Sequence, residues 1–229
     1  MLNKLLNEIG FTLTAEQEKA FNLYCDFLLE YNKITNLTAI TDRDEVFVKH
    51  FYDSILLAKS IDLTKINNLC DVGSGAGFPS IPLKIMYPHL DIIIIDSLDK
   101  RIQFLTQLCQ KLSLTDVTLI HARAEECDVL RESFDLVTAR AVARQNILNE
   151  LCIPLVKVNG YFVSMKGKNA LEELKEGNSL AILNGKIIKE NEYTLPMDDA
   201  KRFIIVIKHF ARCPIKYPRT FASIKKRPL

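Results

Sequence analysis

Three glycines at alternate positions form the strongest local signal for chemistry in the chain. The segment reads Asp71-Val-Gly73-Ser-Gly75-Ala-Gly77-Phe78-Pro, and it stands where an apolar strand gives way to a predicted helix. Glycine permits positive φ angles and lets a ligand approach the backbone closely. The dinucleotide fingerprint G-x-G-x-x-G requires a glycine where this chain has Phe78, and that ring would crowd a pyrophosphate. The loop therefore predicts a ligand without phosphates rather than a nicotinamide dinucleotide.

Polar residues at the ends of the next predicted strands favour the same cleft, because ligands of parallel sheets bind at the carboxyl ends of the strands. Asp96 ends the second strand, Ala124-Glu125 follow the third and Arg140 ends the fourth. Together with the loop, this order resembles class I methyltransferases, which bind S-adenosylmethionine. The resemblance implies that Asp96 accepts hydrogen bonds from both ribose hydroxyls, a role suited to an ionised carboxylate. It also implies adenine binding beside Ala124 and Glu125, and an Asp71 that orients the methionine ammonium through water.

The absence of two motifs narrows the range of possible methyl acceptors. Enzymes that methylate exocyclic amines of adenine or cytosine usually carry an Asn/Asp-Pro-Pro-aromatic motif where this chain reads Thr138-Ala-Arg-Ala-Val142. Methylation of pyrimidine carbon 5 needs a cysteine at that strand end, whereas Cys152 falls within a predicted helix. An acceptor that is already nucleophilic remains, such as guanine N7, whose lone pair carries no proton. No general base is then expected, and a small-molecule methyltransferase stays open as the alternative.

Basic residues are abundant near the predicted strand ends, where they are suited to hold RNA phosphates and to stack on bases. Each is also typical of a solvated or ion-paired surface residue. From Lys201 to Leu229 there are nine Lys or Arg and no acidic residue, so the other 200 residues hold 21 basic and all 28 acidic groups. This cationic end indicates either a polyanionic partner or a solvated basic tail. The candidate RNA contacts are Lys100, Arg101, Arg123, Arg144, Lys166 and Arg219.

Hydrophobic periodicity predicts the elements that position these residues. Residues 1–62 are predicted to form a helical region packed on the main domain, residues 63–210 the methyltransferase domain, and residues 211–229 a basic tail. Short Ile- and Val-rich runs alternate with helices after Asp62, which is typical of an α/β fold with a mostly parallel sheet. Two late runs, 186–193 and 201–210, predict an antiparallel edge hairpin joined through Leu195–Asp199. The other predicted strands are 68–72, 91–96, 117–121, 134–139 and 160–166, and the predicted helices between them are 80–87, 98–112 and 145–156.

Composition excludes several classes of protein. The chain has 229 residues, 48% of them hydrophobic and 25% charged, as expected of a globular protein with a sizeable core. Its longest purely aliphatic run, Ile92 to Ile95, is too short to span a membrane, and the amino end lacks a signal-peptide pattern. Six dispersed cysteines and four histidines show no metal-ligand spacing, so no metal site is expected. We therefore expect a cytoplasmic, monomeric protein with reduced thiols.

Several segments besides the glycine loop carry a resemblance that covers nearly the whole chain: Asn36-Leu-Thr-Ala-Ile40, His50-Phe-Tyr-Asp-Ser54, Asp96-Ser-Leu-Asp-Lys-Arg101, Arg123-Ala-Glu125, Ala139-Arg-Ala141 and Lys216-Tyr-Pro-Arg219. With these segments the chain resembles the bacterial RsmG family of ribosomal RNA methyltransferases, also called the glucose-inhibited division protein B family. The resemblance implies methylation of N7 of one guanine in small-subunit (16S) ribosomal RNA, with the ribosomal particle as the expected context. It also implies cofactor contacts at Gly73, Phe78, Ala124, Glu125 and Arg140.

The tail departs from the family pattern. After Lys216-Tyr-Pro-Arg219 the family commonly continues with a glycine and then a proline, where this chain has Ala222 and Ile224. The basic residues that follow are nevertheless present. An RNA-binding protein without catalysis would be expected to have lost the glycine loop, which is intact here.

Overall fold

A computed structural model of the chain describes residues 1–198 and 201–229. Its centre is a seven-stranded sheet in the order β3-β2-β1-β4-β5-β7-β6. Strands β1 to β5 are parallel, and β7 lies antiparallel between β5 and β6, which confirms the predicted sheet and edge pair. The strands are β1 (Asn68–Val72), β2 (Asp91–Asp96), β3 (Val117–His121), β4 (Phe134–Arg140), β5 (Val156–Lys166), β6 (Gly185–Thr194) and β7 (Lys201–His209).

Two boundaries differ from the predicted ones by more than one residue. The helix predicted over 145–156 ends at Cys152, because Pro154 lies in the 3-10 turn that follows and cannot donate a helical hydrogen bond. Strand β5 then begins at Val156 rather than at residue 160, since Val156 pairs with Phe134 across a bulge. The link predicted between β6 and β7 includes Asp199, which lies outside the described residues.

Helices cover both faces of the sheet, and their ends follow the side chains expected to cap them. Thr14 and Gln17 form a capping box at the start of α2, with the Gln17 amide 3.2 Å from Thr14 Oγ1. Asp42 caps α3, since its Oδ1 accepts from the Glu45 amide at 2.9 Å. The helices are α1 (Leu2–Glu8), α2 (Ala15–Thr35), α3 (Arg43–Val46), α4 (Asp53–Ile55), α5 (Ser80–Met86), α6 (Asp99–Lys111), α7 (Gln145–Cys152), α8 (Ala170–Glu173), α9 (Ser179–Ile182) and α10 (Phe221–Lys226).

The amino-terminal helices share one hydrophobic core with the sheet. Phe21, Tyr24 and Phe51 are fully buried, in the same cluster as Ile81 of α5 and Leu105 of α6. Residues Phe47–Tyr52, between α3 and α4, form a π-helix, a widened turn that is frequent at functional sites. None of the helices in the described part of the chain is long and apolar enough to cross a membrane.

The carboxyl-terminal segment is packed against the body of the protein. Arg131 donates hydrogen bonds to the carbonyls of Cys213 at 2.8 Å and Pro214 at 3.2 Å. Ile224 of α10 is fully buried. Arg219 donates to the buried carboxylate of Glu150 on α7 through its backbone amide (2.9 Å), Nε (2.8 Å) and Nη2 (2.6 Å). The segment 211–229 is therefore held by specific hydrogen bonds rather than solvated along its length.

We expect Arg219→Ala to destabilise the fold, because it removes the charged partner of the fully buried Glu150 carboxylate and leaves only the backbone amide bond to it. The expected loss is about 3 kcal/mol, which corresponds to a melting temperature lower by about 6–12 °C. Thermal unfolding followed by circular dichroism measures it. Arg212→Ala is the matched control, since Arg212 is 86% exposed and its ion pair with Glu132 is long, at 3.6 Å. An equal loss in both variants would contradict the role assigned to Arg219.

Candidate functional site

The glycine loop joins β1 to α5 and borders a cavity of about 340 Å³ at the carboxyl ends of the parallel strands. Gly73, Gly75 and Gly77 all have positive φ angles, of 72°, 64° and 97°. A Cβ atom added to Gly75 would meet no atom within 4 Å, so the loop leaves open space on that side for a ligand. The residues that line this cavity are Leu37, Thr38, His50, Gly73, Ser74, Gly75, Ala76, Phe78, Asp96, Ser97, Arg101, Arg140, Ala141 and Val142.

Asp96, at the end of β2, holds the glycine loop and faces the same cavity. Its side chain is 1% exposed. Its Oδ2 accepts from the Gly75 amide at 3.0 Å, and its Oδ1 accepts from the Leu98 amide at 3.0 Å. Arg101 Nη1 lies 3.2 Å from Oδ2 and supplies the neutralising charge. Asp96 therefore presents a buried, ionisable acceptor to the smaller cavity.

Asp71, at the end of β1, carries a buried acceptor atom that has no partner. Its Oδ2 accepts from the Ser80 amide at 3.3 Å, whereas Oδ1 has no hydrogen-bond partner among the described residues. Burial raises the pKa of this carboxyl group to about 7, against opposing hydrogen bonds from Ser80 and Ser74. An orphaned buried carboxylate fits a cationic ligand group, reached directly or through water. The unpartnered Oδ1 acceptor of Asp71 therefore suits the ammonium of a methionine moiety.

The titration of Asp71 predicts a change of cofactor affinity with pH. Since the pKa in the folded state is about 7, the carboxylate that attracts an ammonium forms only as the pH rises through that value. Cofactor affinity is expected to increase by about tenfold from pH 5 to pH 6, a range in which the α-ammonium of the ligand stays protonated, and Asp71→Asn is expected to remove the increase. Titration calorimetry across this range measures both. Thr138→Val is the control, because Thr138 pairs with Asp71 in the sheet and its hydroxyl is also unpartnered; this variant should keep the pH dependence.

The Asp71 carboxyl group should also make folding stability depend on pH, in the direction opposite to that of cofactor affinity. The unfolded Asp71 ionises near pH 4 and the folded one near 7, so the folded state binds more protons between these values and stability falls as the pH rises. Asp71→Asn removes this loss and is therefore expected to raise the melting temperature at pH 8 but not at pH 4. A variant destabilised equally at both pH values would show that the Asp71 carboxylate contributes through packing instead.

A second, larger cavity of about 640 Å³ adjoins the first and has a basic lining. The two share His50, Arg140, Ala141 and Val142 in their walls. Ala141 follows β4 with a φ of 57°, a left-handed conformation that is uncommon outside glycine and clusters at functional sites. The basic residues of the larger cavity are Lys49, Arg140, Arg144, Lys166, Lys168 and Arg202.

Residues of the amino-terminal helical region complete the wall between the cavities, and sequence reasoning missed their role. Asp53 accepts from Arg140 Nη1 at 2.8 Å, and its side chain is 5% exposed. The His50 ring stacks on Phe78 with 4.4 Å between centroids, and Arg140 lies over the same Phe78 ring at 4.8 Å. Arg202, from β7, is 3.7 Å from Asp53. The only signal in the sequence was the segment His50-Phe-Tyr-Asp-Ser54, which belongs to the family resemblance. That resemblance did not predict that the segment lies in the site.

His50 is held neutral and is not free to act as a base. Burial and the Arg140 guanidinium lower its pKa to about 3. Its Nδ1 lies 3.2 Å from Arg140 Nη2, which can only donate, so the ring proton belongs on Nε2, 2.9 Å from Thr38 Oγ1. The loop that carries Thr38 follows α2. Asn32, near the end of α2, fixes this loop by accepting from the Leu37 amide at 2.6 Å and the Thr38 amide at 2.9 Å.

The predicted cofactor residues separate into three groups in the structure. Five of them line the smaller cavity: Gly73, Gly75, Phe78, Asp96 and Arg140. Asp71 and Gly77 lie outside the lining, in the same strand-loop unit as the glycines that form it. Ala124 and Glu125 are in the 3-10 turn after β3 and do not line this cavity, although both side chains are largely buried. No cluster of metal-ligating side chains occurs among the residues that the structure describes.

Most of the predicted RNA contacts face a carboxylate in the structure. Arg144 and Lys166 line the larger cavity and Arg101 the smaller one. Lys100 instead donates to the Thr35 carbonyl at 2.9 Å. The ion pairs are Arg101 with Asp96, Arg123 with Glu125, Arg144 with Glu176, Lys166 with Glu173 and Arg219 with Glu150.

Comparison with known proteins identifies the family. The model of the family described as GidB, rRNA small subunit methyltransferase G, matches residues 17–195. The chain is 49% identical over 227 residues to the ribosomal RNA small subunit methyltransferase G of Macrococcus caseolyticus (strain JCSC5402), covering 98% of this chain and 95% of the relative. The protein of the same name from Bacillus cereus (strain B4264) is 48% identical over 229 residues, covering 98% and 96%. The chain belongs to this family. It is therefore a methyltransferase that uses S-adenosylmethionine, which confirms the expectation raised by the glycine loop.

Solved structures with this fold are distant in sequence. The [4+2]-cyclase SpnF matches with a TM-score of 0.58 at 12% identity, over 70% of this chain and 81% of its own. TYW2 of P. horikoshii, solved in complex with MeSAdo, matches with a TM-score of 0.55 at 11% identity, over 70% of this chain and 62% of its own. These likenesses confirm the class I methyltransferase fold and nothing about the reaction, since one fold serves many activities.

Proposed function

We propose that the protein methylates N7 of one guanine in 16S ribosomal RNA of the small subunit. The observation that carries the proposal is the basic cavity of about 640 Å³ that adjoins the glycine-loop cavity through His50, Arg140, Ala141 and Val142. A cofactor in the smaller cavity and a base in the larger one would meet at this shared wall. The names of the relatives supply the substrate class, small-subunit ribosomal RNA.

The residues of the smaller cavity fit S-adenosylmethionine. Asp96 would accept from the ribose hydroxyls, and Asp71 would face the ammonium. Ala124 and Glu125 remain the proposed adenine contacts. The open side of Gly75 leaves room for the ligand beside the backbone. When bound, the cofactor supplies an electrophilic methyl group on its sulfonium.

The larger cavity would position the guanine by charge and shape rather than by acid-base chemistry. Methyl transfer to a lone pair needs proximity and alignment, which a rigid wall supplies. Arg140 is fixed by Asp53, His50 and Phe78, so its guanidinium stays at the junction of the two cavities. The neutral, doubly hydrogen-bonded His50 supports an acceptor that needs no general base, as guanine N7 does.

The decisive experiment incubates the purified protein with radiolabelled S-adenosylmethionine and small ribosomal subunits that lack the modification, followed by nuclease digestion and nucleoside identification. Label in 7-methylguanosine at one site is expected. Label in another nucleoside would overturn the choice of N7. Cofactor binding without label in RNA would favour a small-molecule acceptor instead.

We further propose an assembled particle as the substrate, a monomeric enzyme and a cytoplasmic location. Running naked 16S RNA in parallel with small subunits tests the first of these. Light scattering of the purified protein tests the second. The proposed location rests on the ribosomal substrate.

A further inference from the structure

The carboxyl-terminal helix α10 carries a group of basic residues that the site described above does not use. Lys225, Lys226 and Arg227 are exposed, and none of their side chains makes an ion pair with the residues that the structure describes. This separates them from the predicted RNA contacts that face carboxylates. An unneutralised, exposed cation is the kind of group that gains most from a phosphate, through release of condensed counterions.

On both sides of this group, the carboxyl-terminal segment contacts residues that adjoin the site without lining its cavities. On one side, the Phe221 ring lies 5.2 Å from the guanidinium of Arg123, which directly precedes the 3-10 turn that holds the proposed adenine contacts. Lys225 follows Phe221 by four residues and therefore lies on the same face of α10.

On the other side, Leu229 lies against Gly177, four residues beyond Glu173 in the lining of the larger cavity. A Cβ atom on Gly177 would lie 1.9 Å from the Leu229 carbonyl oxygen, so Leu229 is in direct contact with Gly177. The neighbouring Glu176 pairs with Arg144, which lines the larger cavity. The helix thus lies between Arg123, which precedes the proposed adenine contacts, and Gly177, whose neighbour Glu176 pairs with a residue of the larger cavity.

The helix is held firmly enough to present its charges in fixed positions. Ile224 is fully buried, α10 packs against α7, and Arg219 Nη2 donates to the Arg227 carbonyl at 3.0 Å while it pairs with Glu150. Arg219 is therefore satisfied inside the protein. Its role is to hold the helix, and the exposed residues beyond it remain available to a partner.

We propose that Lys225, Lys226 and Arg227 form a phosphate-binding strip for the RNA that flanks the target guanine, with Arg219 as its structural support. This inference rests on the proposed function, because it assumes that RNA occupies the larger cavity. Deleting the tail would not test it cleanly, since the deletion removes the partners of Arg131 and Glu150 as well. Point substitutions of exposed residues are needed.

The test compares Lys225→Ala/Lys226→Ala with the unaltered protein, using small subunits that lack the modification. The double variant is expected to raise the KM for subunits about tenfold. It should also make the plot of log affinity against log potassium chloride shallower by about two, one for each lost phosphate contact. The kcat at saturating subunits and the Kd for S-adenosylmethionine should not change. Lys225→Arg/Lys226→Arg should behave as the unaltered protein.

The matched control is Lys186→Ala/Lys208→Ala. These lysines pair across β6 and β7, about 13 Å along the sheet from Ile204 in the cavity lining. The control removes the same charge beyond the screening length of the buffer and should leave the KM and its salt dependence unchanged.

Three results would overturn the strip: an unchanged salt dependence in Lys225→Ala/Lys226→Ala, an equal loss in the control, or a lower kcat with an unchanged KM. The first two exclude specific phosphate contacts at α10, and the third shows an effect on the active site instead. Failure of the proposed function is distinguishable, because the unaltered protein would then place no label in RNA. In that case the proposed role of the strip in RNA binding is excluded together with the proposed function.

Discussion

Asp96→Asn is expected to weaken S-adenosylmethionine binding by about 100-fold or more. Two charge-assisted hydrogen bonds to a ribose contribute about 1.5–3 kcal/mol each, and the neutral amide cannot replace them. The substitution also disturbs the loop. Both carboxylate oxygens accept backbone hydrogen bonds, from Gly75 and Leu98, so either orientation of the amide places its NH₂ group against a backbone N–H.

Titration calorimetry with S-adenosylmethionine measures the loss, and circular dichroism confirms that the variant is folded. Asp91→Asn is the matched control, because Asp91 begins the same strand and is exposed. Its affinity should equal that of the unaltered protein. A folded Asp96→Asn variant that binds within threefold of the unaltered protein would exclude Asp96 as the ribose acceptor.

Gly75→Ala and Gly77→Ala are expected to have different effects although the glycines are only two residues apart. A Cβ atom on Gly77 would lie 2.7 Å from Tyr24 Oη, 2.8 Å from Ile81 Cγ1 and 3.0 Å from Leu105 Cδ2, all in the buried core. With a φ of 97° as well, Gly77→Ala should cost about 3–5 kcal/mol and lower the melting temperature by about 10 °C or more.

Gly75→Ala meets no neighbouring atom, so its cost is about 1–2 kcal/mol from the positive φ alone. Its methyl group would enter the open space beside the loop, and we expect cofactor affinity to fall at least tenfold. Melting curves and calorimetry on both variants measure the two effects separately. A Gly75→Ala variant that binds the cofactor normally would place the ligand elsewhere on the loop. A Gly77→Ala variant with normal stability would contradict the close packing against α2.

The hydrogen bond between Asp53 and Arg140 joins the helical region to the end of β4, at the wall that both cavities share. The amino-terminal helices therefore contribute to the site directly. Tyr24 of α2 extends the same connection, since its hydroxyl donates to the Ala76 carbonyl in the glycine loop and its ring stacks on Phe78 at 5.5 Å. Substitutions in the first 62 residues should consequently affect cofactor binding as well as folding.

The sequence by itself determined the sheet and the loop at its carboxyl edge. Strands such as Asn68–Val72 and Asp91–Asp96 were predicted to the residue, because their Ile- and Val-rich runs are bounded by residues that end a strand. The three glycines at alternate positions permit the positive φ angles that the loop adopts, and Thr14 with Gln17 forms a local capping box. These features depend on the backbone and on near neighbours in the chain, so they can be inferred without knowledge of the fold.

Only the tertiary structure decided which side chains meet. His50 and Asp53 reach Arg140 across about 90 residues of sequence, and Arg219 reaches Glu150 across 69. The sequence does not distinguish an exposed basic residue, such as Lys225, from one that pairs with a buried carboxylate, such as Arg219. The difference arises because a buried carboxylate must find a partner, and which cation supplies it depends on how the helices and the tail pack on the sheet.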